Sequence, residues 1–245
     1  RFGGRAGGGA RRLPRMVGEV MVVDDVAAAF AARVIEAFHA RQSEVFSIAL
    51  SGGDTARRCY ERLARDGGEA IDWWQVDVYW GDERCVAPDH EDSNERLGRE
   101  CLLERVGAAN AVHPMRCEEG AGAYHLRVSE AGRLDVVHLG LGDDGHTASL
   151  FAGSPALDAE AGSLVALNQD PSGHNPHRRM TLTFEGIARA RLALVTVSGA
   201  AKREAFRRVQ AGDDIPASRI RADRVIWLVD HAAASPTPVT SPAAF

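Results

Sequence analysis

The sequence predicts a single-domain α/β protein with a mainly parallel sheet and helices on both faces. Short apolar, β-rich runs recur at 45–50, 76–80, 136–141, 180–184, 192–197 and 225–229, with helical or loop segments between most of them. Parallel strands need long crossovers, and helices supply them. Several runs are apolar at both alternating sets of positions, as expected of strands covered on both faces. The chain is 245 residues, 45% hydrophobic and 26% charged, which suits one ordinary globular domain.

Residues 1–15 carry five arginines and many glycines and read as a flexible arm, with no apolar segment of the kind a secretory signal needs. Val26, Phe30, Val34 and Phe38 repeat every four residues among alanines, which places one apolar stripe on a helix starting near Asp24 or Asp25. The run 45–50 enters Ser51-Gly52-Gly53-Asp54-Thr55 and then a second helical stretch to about Arg65, giving strand, glycine turn, helix. The run 76–80 ends at Gly81-Asp82-Glu83-Arg84, with Asp92-Ser93-Asn94 following. The run 136–141 opens into a glycine-framed loop that continues to Phe151. Arg179 precedes 180–184, and 192–197 ends at Ser198-Gly199-Ala200-Ala201-Lys202. The domain is expected over 16–233, and an Ala-, Ser-, Pro- and Thr-rich tail over 234–245 is expected to fray.

Several classes of function are excluded. No run approaches the ~18 apolar residues of a membrane-spanning helix. The formal charge is −5 even with the arginines of the arm included, so the body is acidic and unsuited to a broad nucleic-acid surface. Cys59, Cys85, Cys101 and Cys117 form no C-x-x-C pair, which argues against zinc and reads as four reduced thiols in a cytoplasm.

Ligands of open α/β sheets bind beyond the carboxyl ends of strands, so the four loops there are the places for chemistry. In the first, Ser51, Gly52, Gly53 and Thr55 offer backbone N–H groups and hydroxyls to an anion, with an ordinary capped glycine turn as the equal alternative. No Gly-Lys-Ser/Thr follows, so it is not a Walker loop. In the second, Arg84 suits bidentate contact with a phosphate or carboxylate, with Asp82 and Glu83 to orient it; a solvated charged loop is the alternative. The third holds Asp144 and His146 between glycines, and His146 is the general-base candidate because imidazole titrates near neutrality. His138, inside a strand, reads as a satisfied core histidine. Gly140, Gly142 and Gly145 match the dinucleotide glycine spacing, but no strand leads to an acid at the ribose position, so no nucleotide cofactor is expected. In the fourth, Lys202 sits in the first turn of a helix, where a cation opposes the macrodipole; with Arg179 it forms either an anion anchor or two exposed cations.

Taken together, these segments resemble the 6-phosphogluconolactonases, a branch of the sugar-phosphate isomerase-like superfamily that also holds glucosamine-6-phosphate deaminase. The markers are Ser51-Gly52-Gly53, 80–84, 92–94, 140–151, 179–183, 199–202, 216–219, Trp227 and Asp230. The resemblance implies a Rossmann-like sugar-phosphate isomerase-type fold and hydrolysis of 6-phospho-D-glucono-1,5-lactone to 6-phospho-D-gluconate, without metal or organic cofactor. It implies His146 as base, Asp144 as its support, and backbone N–H groups of the glycine-rich loops, joined by Arg84, at the developing oxyanion. Arg179, Lys202 and the Ser51–Thr55 loop become phosphate anchors, with Arg84 as an alternative anchor. The expected partner is a phosphorylated sugar lactone, with no nucleic acid and no membrane, and the expected state a monomer or weak homodimer. A deaminase or a non-catalytic sugar-phosphate sensor is the alternative, but Arg84 stands where deaminases carry tyrosine, and 145–151 departs from their Gly-His-Ile-Ala-Phe-Asn-Glu. Ala56, Ala87, Ala152 and Ala222 stand where lactonases usually have proline, which bears on loop rigidity more than on chemistry.

Overall fold

A computed structural model describes residues 17–234. The arm expected at 1–15, and all but the first residue of the expected tail, lie outside the described residues. The elements in chain order are β1 (Glu19–Val23), α1 (Val26–His39), β2 (Phe46–Leu50), α2 (Asp54–Gly67), β3 (Val76–Trp80), β4 (Asp82–Arg84) and α3 (Asn94–Gly98). After a π-helical turn come α4 (Glu104–Val106), β5 (Ala111–Val112), α5 (Gly120–Glu130), β6 (Val136–Gly140), β7 (Val165–Asn168), β8 (Arg179–Leu182) and α6 (Phe184–Ala188). The chain continues through β9 (Leu192–Val197), α7 (Arg203–Ala211), β10 (Arg224–Asp230) and α8 (His231–Ala234). Among the described residues no helix is long and apolar enough to cross a membrane.

Seven strands form one wholly parallel sheet in the order β1-β10-β9-β6-β2-β3-β5. Every residue of β2 and β9 is buried, so both faces of the sheet are covered at its centre. The helix α1 begins where its sequence demands: Asp25 accepts a hydrogen bond from Ala28 N–H, and the stripe Val26, Phe30, Val34 and Phe38 is buried. From β2 the strand order runs outward through β3 and β5 on one side and through β6, β9 and β10 on the other. The crevice between β2 and β6 is therefore the switch point, where such sheets bind ligands.

Two expectations are corrected. The run at 180–184 does not join the parallel sheet; β8 instead lies in a separate antiparallel sheet, β4-β8-β7. Gly81 links the two sheets, since its N–H donates to Leu50 C=O and its C=O accepts from Leu182 N–H, each at 2.7 Å. Nor are all four cysteines reduced thiols. Cys85 and Cys117 form a disulfide, with Cα atoms 5.4 Å apart, while Cys59 and Cys101 are free and buried. Cys85 and Cys117 lie 32 residues apart in the chain and meet only through folding, which a search for local cysteine pairs does not detect.

Candidate active site

Three neighbouring strands, β2, β6 and β9, end side by side, and each releases one of the sequence-predicted loops at its carboxyl end. Between these loops lies a cleft of two compartments. One, of about 350 Å³, is lined by Ser51, Gly52, Gly53, Thr55, Arg58 and Ser198 among others. The other, of about 260 Å³, is lined by Asp82, Arg84, Asn94, His146, Ala148 and Asn175 among others. Ser51, Gly52, Gly53, Gly140, Leu141 and Lys202 border both, so the compartments are continuous.

His146 is half-buried, and its Nδ1 lies 2.6 Å from Asp144 Oδ1, which also accepts from His146 backbone N–H at 3.0 Å. Burial works to raise the Asp144 pKa, but the hydrogen bonds from His146 outweigh it and hold the carboxyl below its ordinary value. An ionised Asp144 at Nδ1 keeps that nitrogen protonated and leaves the lone pair of a neutral ring on Nε2. Gly142 makes the pair possible, because a Cβ there would collide with both the imidazole and the Asp144 carboxylate. Ala148, two residues on, carries a left-handed φ of 47°, uncommon for a residue with a side chain.

Arg84 reaches the His146 compartment from the small sheet, with its Nη1 donating to Asp92 C=O at 2.6 Å. Beneath it Glu83 accepts from the backbone N–H groups of Arg84, Asn94 and Glu95 at 2.6, 2.8 and 2.7 Å. Burial pushes the Glu83 carboxyl up to about 7 despite these donors. Asp82 accepts from Ser149 Oγ at 2.6 Å and Asn94 Nδ2 donates to Asp82 C=O at 2.8 Å, which ties the arginine loop to the histidine loop. Asn94 in turn packs against Gly52 so closely that a Cβ there would collide with its amide.

Lys202 Nζ borders both compartments and pairs with Asp143 at 2.5 Å. Arg179 is not at the cleft wall. It is buried opposite Arg84 in the β4–β8 ladder, its Nε has no hydrogen-bond partner, and burial followed by the charge of Arg84 lowers its pKa. His138 is the satisfied core histidine that its strand position suggests: 1% exposed, with Nδ1 2.8 Å from Tyr60 Oη and Nε2 2.9 Å from Thr196 Oγ1. Burial depresses its pKa to about 3, so it is neutral at physiological pH.

Of the predicted residues, Ser51, Gly52, Gly53, Thr55, Arg84, His146 and Lys202 converge on one cleft, Asp144 supports His146 there, and Arg179 pairs with Arg84 in the β4–β8 ladder off the cleft wall. The sequence reading did not single out Arg58 or Asn175 as wall residues. Asn175 arrives from an irregular polar loop and has no motif; Arg58 lies four residues after Asp54 in α2, next in line on the same helical face.

A family model described as glucosamine-6-phosphate isomerases/6-phosphogluconolactonase matches residues 19–227. A 6-phosphogluconolactonase from Synechocystis is 39% identical over 206 residues, covering 76% of this chain and 82% of that protein. The solved 6-phosphogluconolactonase of Trypanosoma brucei superposes with a TM-score of 0.75 at 28% identity, covering 89% of this chain and 98% of that one. A monomeric glucosamine-6-phosphate deaminase shares the fold, with a TM-score of 0.74 at 19% identity over 88% of this chain and 98% of that one.

Proposed function

The chain belongs to the family of glucosamine-6-phosphate isomerases and 6-phosphogluconolactonases, its activity is the lactonase one of the pentose phosphate pathway, and we propose how its residues divide that work. The reaction opens 6-phospho-D-glucono-1,5-lactone to 6-phospho-D-gluconate. Its needs are a base for water, a counter-charge for the oxyanion, and an anchor that sets the lactone carbonyl beside the base.

His146 is the base, and the observation that carries this role is the Nδ1 contact with Asp144 on the wall of the cleft. Nε2 takes a proton from water as the water oxygen bonds to the lactone carbonyl carbon, and the carbonyl electrons move to oxygen. Collapse of the tetrahedral oxyanion breaks the bond to the ring oxygen. The imidazolium gives its proton to that oxygen, and the new carboxylic acid ionises. Asp144 holds the ring in orientation and stabilises its cationic form between the two steps. Arg84, on the same wall, faces the developing oxyanion, where a fixed cation strengthens as charge builds. Arg179, the ladder partner of Arg84, adds positive charge beside it.

The Ser51–Thr55 loop and Lys202 hold the phosphate in the compartment that His146 does not line. A dianion approaching an acidic body is drawn to this local concentration of cations. The test is hydrolysis of freshly made lactone, coupled to 6-phosphogluconate dehydrogenase in buffer where spontaneous opening is slow. His146→Ala is expected to lower kcat by about 10²–10⁴-fold with little change in KM. Turnover within a few-fold of wild type would remove His146 from the role.

A further inference from the structure

The phosphate compartment has a second cation on its wall, which resting on the reading above we assign to the substrate. Arg58 sits one turn into α2, beside the anion loop. Its Nη2 donates to Ser198 Oγ at 3.0 Å and reaches Thr55 Oγ1 at 3.5 Å. Ser198 Oγ donates its own proton to Asp230 Oδ2 at 2.7 Å, so its lone pairs are what it offers to Arg58. Asp230 also accepts from Gly199 N–H at 2.8 Å, which fixes this chain of contacts to the backbone.

Arg58 has no direct ion-pair partner among the described residues. Among the described residues no carboxylate lies within ion-pair distance of its guanidinium, whereas Lys202 is paired with Asp143. Both of its hydrogen bonds go to neutral hydroxyls and use one nitrogen, so most of its five donors remain open. On the far side of Arg58 lies a compartment of about 340 Å³ bordered by Asp24, Asp25 and Asp230. Asp25 is paired with Arg62 and Asp24 contacts His231, but the compartment still carries more acid than base, so an anion is favoured on the side of the glycine loop.

We propose that Arg58 is a phosphate ligand, clamping the substrate's phosphate with Lys202 and the 51–55 amides while Asp24, Asp25 and Asp230 close off the end of the cleft. The guanidinium then contributes through charge-assisted hydrogen bonds to an oxygen of the phosphate, and it acts on affinity and specificity rather than on proton transfer.

The test compares wild type, Arg58→Gln and Arg58→Lys on 6-phosphogluconolactone and on unphosphorylated glucono-1,5-lactone, with calorimetric binding of 6-phosphogluconate alongside. The expected result for Arg58→Gln is a rise in KM for the phosphorylated lactone of about tenfold, the size of one charge-assisted hydrogen bond. Its kcat and its kcat/KM on the unphosphorylated lactone stay at wild-type values, 6-phosphogluconate binding weakens by a similar factor, and Arg58→Lys recovers part of both. An unchanged KM and product affinity, or an equal loss on the two lactones, overturns the proposal. A wild type without lactonase activity would sink the functional reading alone, because 6-phosphogluconate binding still judges Arg58.

Discussion

The contact between Asp144 and His146 makes a sharper demand than the presence of a histidine. An Asp144→Asn side chain keeps the shape but can present an amide N–H to Nδ1 and shift the ring proton to Nε2, the nitrogen that must accept. The expected outcome is a fall in kcat of roughly 10²-fold or more, KM changing little, with the loss persisting at high pH because the tautomer and not the charge of the ring is wrong. A pH–rate profile of the variant checks this, and full recovery above neutrality would refute it. The same pairing explains why Gly142 has to be glycine, a restriction imposed by two side chains of its own loop. His146, Lys202 and the 51–55 loop were legible in the sequence because each lies in the loop that leaves an apolar strand. Arg58 and Asn175 were not, because nothing local marks which face of a helix or loop will border a cleft.

At the scale of elements, the end of β2 depends on a side chain of α2. Tyr60 Oη accepts from Ser51 N–H at 2.6 Å and lies 3.1 Å from Ser51 C=O, so one buried hydroxyl serves both backbone groups where the anion loop begins. Tyr60→Phe leaves those groups unpaired and is expected to destabilise the fold by about 1–3 kcal/mol, read from denaturant midpoints at unchanged m value. Five of the seven parallel strands were legible because each is a mainly apolar run, whereas β1 and β5, at the two edges of the sheet, were not read as strands. The strands of the small sheet were harder to recognise. β4 is the three-residue Asp-Glu-Arg, whose charges look like a loop until the second sheet covers them, and β7 carries no apolar run long enough to stand out. The Cys85–Cys117 bridge ties the end of β4 to the approach of α5 by the same logic of distant parts brought together. Closing a loop of that length contributes about 3–4 kcal/mol on a chain-entropy view.

For the whole molecule, two buried groups set opposite responses to pH. Glu83 has its pKa raised from 4.5 to about 7, so the fold holds its proton more tightly than the unfolded chain, and the stability it contributes is lost as pH rises through that window. His138 has its pKa lowered from 6.5 to about 3, so the fold excludes a proton that the unfolded chain binds, and stability is lost as pH falls below 6.5. The two offset each other between 4.5 and 6.5. Glu83→Gln removes one of them, and its melting temperature is expected to climb with pH across that interval more steeply than that of wild type. Parallel slopes for the two proteins would show that Glu83 does not titrate there. The sheet order has a consequence for synthesis. Among the described strands β1 pairs only with β10, Val20 against Trp227, so the earliest of them in the chain is bonded by the latest. At ~5–20 residues per second it leaves the ribosome roughly 10–40 s ahead of its partner. For that interval Glu-Val-Met-Val-Val lacks the strand it pairs with, and its open N–H and C=O groups offer an edge to another chain, which makes it a segment for a holding chaperone to cover.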